Sequence, residues 1–167
     1  EKEIDVDEEE FYRLMKIQRE RARSARRDAE GVGWKELDQI DFENAPHSNF
    51  VGYDCQETSA IITNLWINNE AAGIAEEGDQ IAFLLDETPF YAESGGQVGD
   101  TGELLSAAGG VIRVLDTQKA GKDRHVGYGV VQNGSFHLGD RITAVVDKKR
   151  REAIARNHSA VHVLHAA

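Results

Sequence analysis

Two stretches of this chain hold residue types whose spacing can do chemistry. His158 and His162 stand four residues apart in His-Ser-Ala-Val-His. On a helix that spacing stacks both imidazoles on one face, about one turn apart, an arrangement that chelates a single ion. Imidazole nitrogen favours zinc among the common ions. Two histidines are half of a tetrahedral set. His165, three residues further on, reaches the same face either as a ligand or as packing. A metalloprotease helix needs a general-base Glu directly after the first His, and Ser159 stands there instead. The alternative to metal binding is a set of surface or internally satisfied histidines.

The second stretch is residues 86–102, with four glycines within the eight residues 95–102 and acids and aromatics on either side. Gly95 and Gly96 allow positive φ and close backbone approach to a ligand. Amides exposed in such a turn hold an oxyanion or a phosphate. Gln97 adds an amide donor and acceptor beside them. The stretch is not a P-loop, because no Lys-Ser/Thr follows the glycines. It is not a dinucleotide fingerprint either, because no helix follows. Without a ligand it reads as a wide glycine-rich hairpin.

These residues need elements to position them, and the composition bounds which. The chain has 167 residues, a net charge of −11, 40 % hydrophobic and 29 % charged residues, and one cysteine. It can bury a core, and it carries neither a disulfide framework nor a Cys-rich zinc ribbon. No apolar stretch is long enough to span a bilayer and no signal peptide opens the sequence, so no membrane partner is expected, and the reduced-cysteine composition points to a cytoplasmic location. The first residue is Glu1, and the chain stops at Ala167 inside an apolar periodic run, as expected for an internal piece of a longer protein.

The charge is uneven. Residues 31–140 carry 5 basic and 18 acidic side chains, whereas residues 141–167 carry 6 basic and 2 acidic. The acid excess argues against a simple nucleic-acid coat. The basic end is where a polyanion would be met, with Arg150, Arg151 and Arg156 as the candidate RNA-binding residues. Lys148-Lys149-Arg150-Arg151 opens a helical segment capped by Asp147, and four cations there oppose the helix dipole. Either acids of the neighbouring domain compensate them or a polyanion does.

Three segments are expected. Residues 1–33 hold a helix capped by Asp7 with Glu10 completing an acidic capping box; Phe11, Met15, Gln18, Ala22, Ala25 and Ala29 form its stripe and Gly31 and Gly33 end it. Residues 34–147 are short strands: 59–67, 80–85, 111–115, 126–131 and 141–146. Turn signals at Gly78-Asp79, Gly109-Gly110, Asn133-Gly134 and Gly139-Asp140 separate them, with a hairpin expected at Asn133-Gly134. Six or so such strands without intervening helices point to a mainly β fold, an antiparallel barrel or sandwich, flanked by an N-terminal and a C-terminal helix. Residues 148–167 are the C-terminal helix.

The two motifs, in this order, resemble alanyl-tRNA synthetase. Phe90-Tyr-Ala-Glu-Ser-Gly-Gly-Gln-Val-Gly-Asp-Thr-Gly102 is similar to that family's glycine-rich signature. Arg150-Arg-Glu-Ala-Ile-Ala-Arg-Asn-His158-Ser-Ala-Val-His162-Val-Leu-His-Ala-Ala167 is similar to the start of its editing domain. Phe50-Val-Gly-Tyr53 matches the opening of its barrel, and the first helix resembles the end of its tRNA-recognition region. The resemblance spans essentially the whole chain. Freestanding alanyl-tRNA editing proteins share the two motifs but begin near the barrel, so the helix at 5–29 points to the synthetase.

The resemblance implies a translation-factor-like β-barrel at residues 34–147 and the truncated start of an editing domain at 148–167. It implies a parent that charges tRNA(Ala) with alanine, using ATP and Mg in an upstream domain. That parent hydrolyses mischarged seryl- and glycyl-tRNA at a zinc site. The zinc ligands would be His158 and His162 with a Cys and a His further downstream, so the site is incomplete here. Gly95, Gly96 and Gln97 would form the facing wall. A reading from another class is a non-catalytic RNA-binding or spacer barrel joined to the remaining domains of the parent.

Overall fold

The computed structural model describes Arg13, Ile40, Phe42, residues 45–94, 98–121 and 123–165, with 157–165 given as helix backbone. All but Arg13 belong to the compact unit Asp38–Ala167. The expected helix at 5–29 lies outside the described residues, apart from Arg13, which is helical. The described residues of this unit form eleven strands and a helix in chain order: β1 Asn49–Phe50, β2 Glu57–Ile67, β3 Glu70–Ala71, β4 Ile74–Glu76, β5 Gln80–Leu85, β6 Glu87–Thr88, β7 Gly102–Ser106, β8 Val111–Ala120, β9 Arg124–Asn133, β10 Ser135–His137, β11 Arg141–Val146 and α1 Lys148–His165.

Six strands close into an antiparallel barrel. β2 pairs with β5, β5 with β9, β9 with β8, β8 with β7, β7 with β11, and β11 returns to β2. Closure leaves no long unpaired edge, which otherwise invites intermolecular pairing. β11 shows why these residues make strands: Ile142, Ala144 and Val146 are buried and the residues between them are not. Period-two alternation sends one set inward. Phe83, Ile62, Leu65, Ile81, Leu85, Leu104, Ile112 and Val114 join them in a continuous core, each contributing about 1.5–3 kcal/mol when fully buried. Register shifts at Ile62/Asn64 in β2 and at Val114/Asp116 in β8 supply the local twist that closure needs.

β5 is buried on both faces. Its outward Ala82 sits between Trp66 of β2 and Tyr128 of β9 in one cross-strand row. The small residue leaves room for the two large rings. Phe42 packs edge-on against Trp66 at 5.3 Å between ring centroids. Arg124 Nε donates to the Ala45 carbonyl at 2.8 Å, and Ser48 N–H to Asp123 O at 3.0 Å. The segment before β1 is thereby tied to the start of β9.

The expected strands at 80–85 and 141–146 are found, and those at 59–67, 111–115 and 126–131 are longer by two, five and four residues. Two turns share one construction. Asp79 Oδ2 accepts the Glu76 N–H and Asp140 Oδ2 accepts the His137 N–H, each across a glycine at φ near +90°. The Asn133-Gly134 hairpin is a correction. The turn exists, with Gly134 at φ +79°, but the strand that follows it, β10, pairs with β4 and not with β9. β9 already has partners on both sides, β8 and β5, so no edge remains for β10. β7 is absent from the expected strands because its Gly102 belongs to the glycine-rich motif, which masks the apolar pair Leu104-Leu105. The β2–β3 turn was also missed: Asn68 and Asn69 both take positive φ, at 52° and 69°, as a two-residue hairpin loop requires.

Candidate functional site

The glycine-rich stretch leaves the barrel after β6 and re-enters it at β7. Its two described limbs are cross-linked. Tyr91 N–H donates to Asp100 Oδ2 at 2.7 Å, and Asp100 N–H donates to Tyr91 O at 2.9 Å. Both limbs are anchored to β8 at one residue: Glu93 N–H donates to Thr117 O at 2.9 Å, and Thr117 Oγ1–H to Asp100 O at 3.0 Å. Gly99 is required by this packing, because a Cβ there would run into the Thr117 carbonyl and Asp116 Oδ1. The candidate residues Gly95, Gly96 and Gln97 stand between the two limbs in sequence and lie outside the described residues.

Helix α1 starts against the second limb. Asp147 caps it, its Oδ1 accepting Arg150 N–H at 3.0 Å. Asp147 N–H itself donates to Thr101 O at 2.8 Å, so the cap is joined to the glycine-rich stretch. Arg150 Nη1 donates to Gly99 O at 2.6 Å. Arg151 goes further inward. Its Nε and Nη2 donate to Asp100 Oδ2, its Nη1 to Gly52 O at 3.0 Å, and its Nη2 also to Pro89 O. The Asp100 side chain is 4 % exposed and that of Arg151 17 %. A planar fork of donors suits several acceptors held in one plane.

This geometry resolves the cations left open by the sequence. α1 has no acid in its first turn. Arg151 is instead compensated by Asp100 of the barrel, and Arg150 by a main-chain carbonyl. Lys148 meets Glu152 at 4.0 Å with both side chains well exposed, which adds little. Arg156 is exposed. Asp100 was missed as a key residue. Its signal was present, an acid inside a glycine-rich motif followed 51 residues later by an unexplained arginine run.

An aromatic floor supports the first limb. The Phe50 ring stacks on His125 at 4.9 Å and meets Tyr53 edge-on at 5.0 Å and Tyr91 at 6.1 Å. His125 Nδ1 lies 3.0 Å from Phe90 O, so it carries the proton and donates. Burial holds the His125 pKa below its ordinary value, outweighing the Phe90 bond, which raises it; the Lys119 cation also lowers it and Asp123 raises it. A depressed His pKa means that the unfolded chain takes up the proton first as pH falls. The contribution is complete above about pH 6.5 and is lost as pH falls from there through the folded value. Measured from pH 7.5 to 5, the urea midpoint of the wild type is therefore expected to fall more steeply than that of His125→Asn. Parallel curves would show that His125 is not the titrating group.

His158 and His162 both lie on α1, which puts them one helical turn apart, as their spacing requires. Their side chains lie outside the described residues. Among the described residues no group of three or more His, Cys, Asp or Glu converges on a point. Cys55 Sγ is turned to its own loop, 3.5 Å from Val51 O.

A family model described as "tRNA synthetases class II (A)" matches residues 1–150. The chain belongs to this class II tRNA synthetase family. Within the family it is homologous to alanine–tRNA ligases. It is 42 % identical to that of Caldicellulosiruptor saccharolyticus over 167 residues, all of this chain and 19 % of that protein. It is 40 % identical to that of Clostridioides difficile, again over the whole chain and 19 % of the relative. The Bacillus subtilis ligase is 42 % identical over 163 residues, 97 % of the chain and 18 % of the relative. The chain thus spans about a fifth of the length of these curated ligases. Among the described residues no helix is long and apolar enough to cross a membrane.

Proposed function

We propose that this class II synthetase chain is part of a cytoplasmic alanine–tRNA ligase and contributes to hydrolysis of mischarged seryl- and glycyl-tRNA. The supporting observation is the clamp of Arg150 and Arg151 on Gly99 and Asp100. It makes the glycine-rich stretch and the histidine-bearing helix one connected unit. In the parent, ATP-dependent charging of tRNA(Ala) belongs to other domains.

In this reading Gly95, Gly96 and Gln97 hold the acyl ester at the tRNA 3′ end. Their N–H groups would supply donors for the oxygen on which charge develops. A polar pocket selects the serine hydroxyl, because a site built to hydrogen-bond a hydroxyl rejects the analogue lacking it. His158 and His162 would hold zinc together with ligands from elsewhere in the parent, and the metal when bound supplies a Lewis acid for hydrolysis. Arg156, with the exposed Lys148 and Lys149, meets tRNA phosphates; Arg150 and Arg151 contribute less to that contact, since their guanidinium groups are engaged inward.

Gln97→Ala in the complete ligase is expected to slow clearance of Ser-tRNA(Ala) by about 100-fold or more, the usual cost of losing one such donor, while alanine charging stays intact. Unchanged clearance would remove Gln97 from the site. The inward use of Arg150 and Arg151 also favours a second reading, a spacer barrel that holds ligase and editing units apart. Intact clearance in Gln97→Ala, Gly96→Ala and His158→Ala alike would establish it.

A further inference from the structure

We infer that Tyr53 is a stacking platform for an unpaired base of bound RNA, braced by Phe50, with Lys119, Lys148 and Lys149 as the cations for adjoining phosphates. The inference rests on the reading of this chain as part of a tRNA ligase and deepens it by assigning a surface and the part of the RNA that the surface takes. It does not depend on the editing assignment.

Tyr53 is 84 % exposed, well above Leu138 at 52 % and Ile74 at 42 %. The turn that carries it is nevertheless firmly held. Val51 N–H donates to Thr88 O at 3.0 Å, and Val51 O accepts the N–H groups of Asp54 and Cys55 at 3.0 and 3.1 Å. Gly52 O accepts Arg151 Nη1 at 3.0 Å. A Cβ at Gly52 would run into the Pro89 carbonyl and the Phe50 ring, so the turn lies directly on the chain beside it. The ring itself is braced: Phe50 meets it edge-on at 5.0 Å and is in turn stacked on His125 at 4.9 Å. An exposed ring held in this way has little freedom left to lose when a ligand stacks on it.

The surroundings select a base as the occupant. The exposed residues near Tyr53 in sequence are Asn49, Asp54, Gln56 and Glu57, all polar, so the exposed apolar area here is one ring wide. A stable protein interface needs about 800 Å² per partner. One ring matches one base, and every base offers a π face once it is unpaired. Exposed cations stand on two elements that reach the cluster. Lys119 is registered opposite His125 across β8 and β9. Lys148 and Lys149 belong to the helix turn whose Arg151 holds Gly52. An aromatic platform beside cations that track the backbone is how single strands are bound without sequence preference. The Asp54 carboxylate, next to Tyr53, repels a phosphate at the ring itself and leaves the base face as the contact.

The test uses the complete ligase with Tyr53→Ala, Tyr53→Phe, Tyr53→Trp and Lys119→Ala. Affinity for uncharged tRNA(Ala) is measured over a series of salt concentrations, with Tm beside it. Tyr53→Ala is expected to raise Kd about 5- to 150-fold, the range for loss of one base–aromatic stack, with the salt dependence and Tm unchanged. Tyr53→Phe and Tyr53→Trp keep most of the affinity, because the π face remains. Lys119→Ala is expected instead to flatten the salt dependence by about one unit of slope. Tyr53→Trp also adds fluorescence that a single-stranded oligoadenylate quenches and an RNA duplex of the same length does not.

A wild-type Kd in Tyr53→Ala would overturn the inference. So would an equal loss in Tyr53→Phe, which would make the contact one of the hydroxyl group, or quenching by duplex and single strand alike. A weaker Kd with a flattened salt dependence in Tyr53→Ala would make the site a phosphate contact and not a stack. A lowered Tm with unchanged Kd would show that the ring docks on another part of the parent protein. An unchanged salt dependence in Lys119→Ala would remove that cation from the surface. If the wild-type protein fails to charge tRNA(Ala), the ligase reading itself fails. If it charges tRNA(Ala) and Tyr53→Ala binds as the wild type does, only the stacking role is lost.

Discussion

Asp100→Ala destabilises the barrel unit by about 3–5 kcal/mol, the cost of leaving one member of a buried pair without its partner. Asp100 Oδ2 accepts from Arg151 Nε and Nη2 and from the Tyr91 main chain. Alanine supplies none of these acceptors. The Arg151 cation would then lie largely enclosed, with only the carbonyls of Gly52 and Pro89 against it. For a chain of this size the loss corresponds to a fall in Tm on the order of 10 °C. Breaking the pair and removing it are different changes. Adding Arg151→Met to Asp100→Ala takes away the stranded cation, and the double variant is expected to recover a large part of the loss. Thermal unfolding of the two variants beside the wild type checks this. A double variant less stable than Asp100→Ala would mean that Arg151 stabilises chiefly through the Gly52 and Pro89 carbonyls.

The second large effect lies inside the barrel. Phe83 is 1 % exposed and stands opposite Gly127 in the β5–β9 register. A Cβ on Gly127 would overlap the Phe83 ring. Phe83→Ala is expected to cost about 3–5 kcal/mol, because closed strands cannot collapse into the space vacated. Gly127→Ala alone is expected to cost about 1–3 kcal/mol as overpacking. The two changes relieve each other, since the methyl added at position 127 enters the space that the Phe83 ring leaves. The double variant should therefore be more stable than the sum of the singles by about 0.5–3 kcal/mol, the range of couplings between contacting residues. Urea midpoints at constant m-value measure the cycle. Strict additivity would show that ring and glycine do not share the same space.

The strands of this molecule were largely legible from residue pattern. Ile142, Ala144 and Val146 alternate with residues that face outward, and alternation is a local property. Where glycine carried two jobs the pattern failed. Gly102 is both the end of the glycine-rich motif and the first residue of β7, and its neighbours Leu104-Leu105 are too short a run to stand out. The Asn133-Gly134 turn was legible as a turn but not as to what it joins. A turn signal describes four residues, whereas the choice of β4 as partner for β10 depends on both edges of β9 being occupied already.

The site divides in the same way. The helical spacing of His158 and His162 and the concentration of glycine between residues 95 and 102 are sequence facts, and together they pointed to the synthetase family. The arginine run was visible too, but its purpose was not. A helix start with Lys148, Lys149, Arg150 and Arg151 and no acid in its first turn is electrostatically unfavourable by itself, and its compensation lies 51 residues away in sequence. Local chemistry, meaning periodicity, turn residues and ligand spacing, is written in order along the chain and can be read there. The pairing of Arg151 with Asp100, the overlap of Phe83 with Gly127 and the depressed pKa of His125 beneath Phe50 depend on barrel closure, which brings distant residues within a few ångströms and removes water from between them. That exclusion of water makes a charge, a methyl group or a proton cost kilocalories at those positions, and only the tertiary structure decides where it occurs.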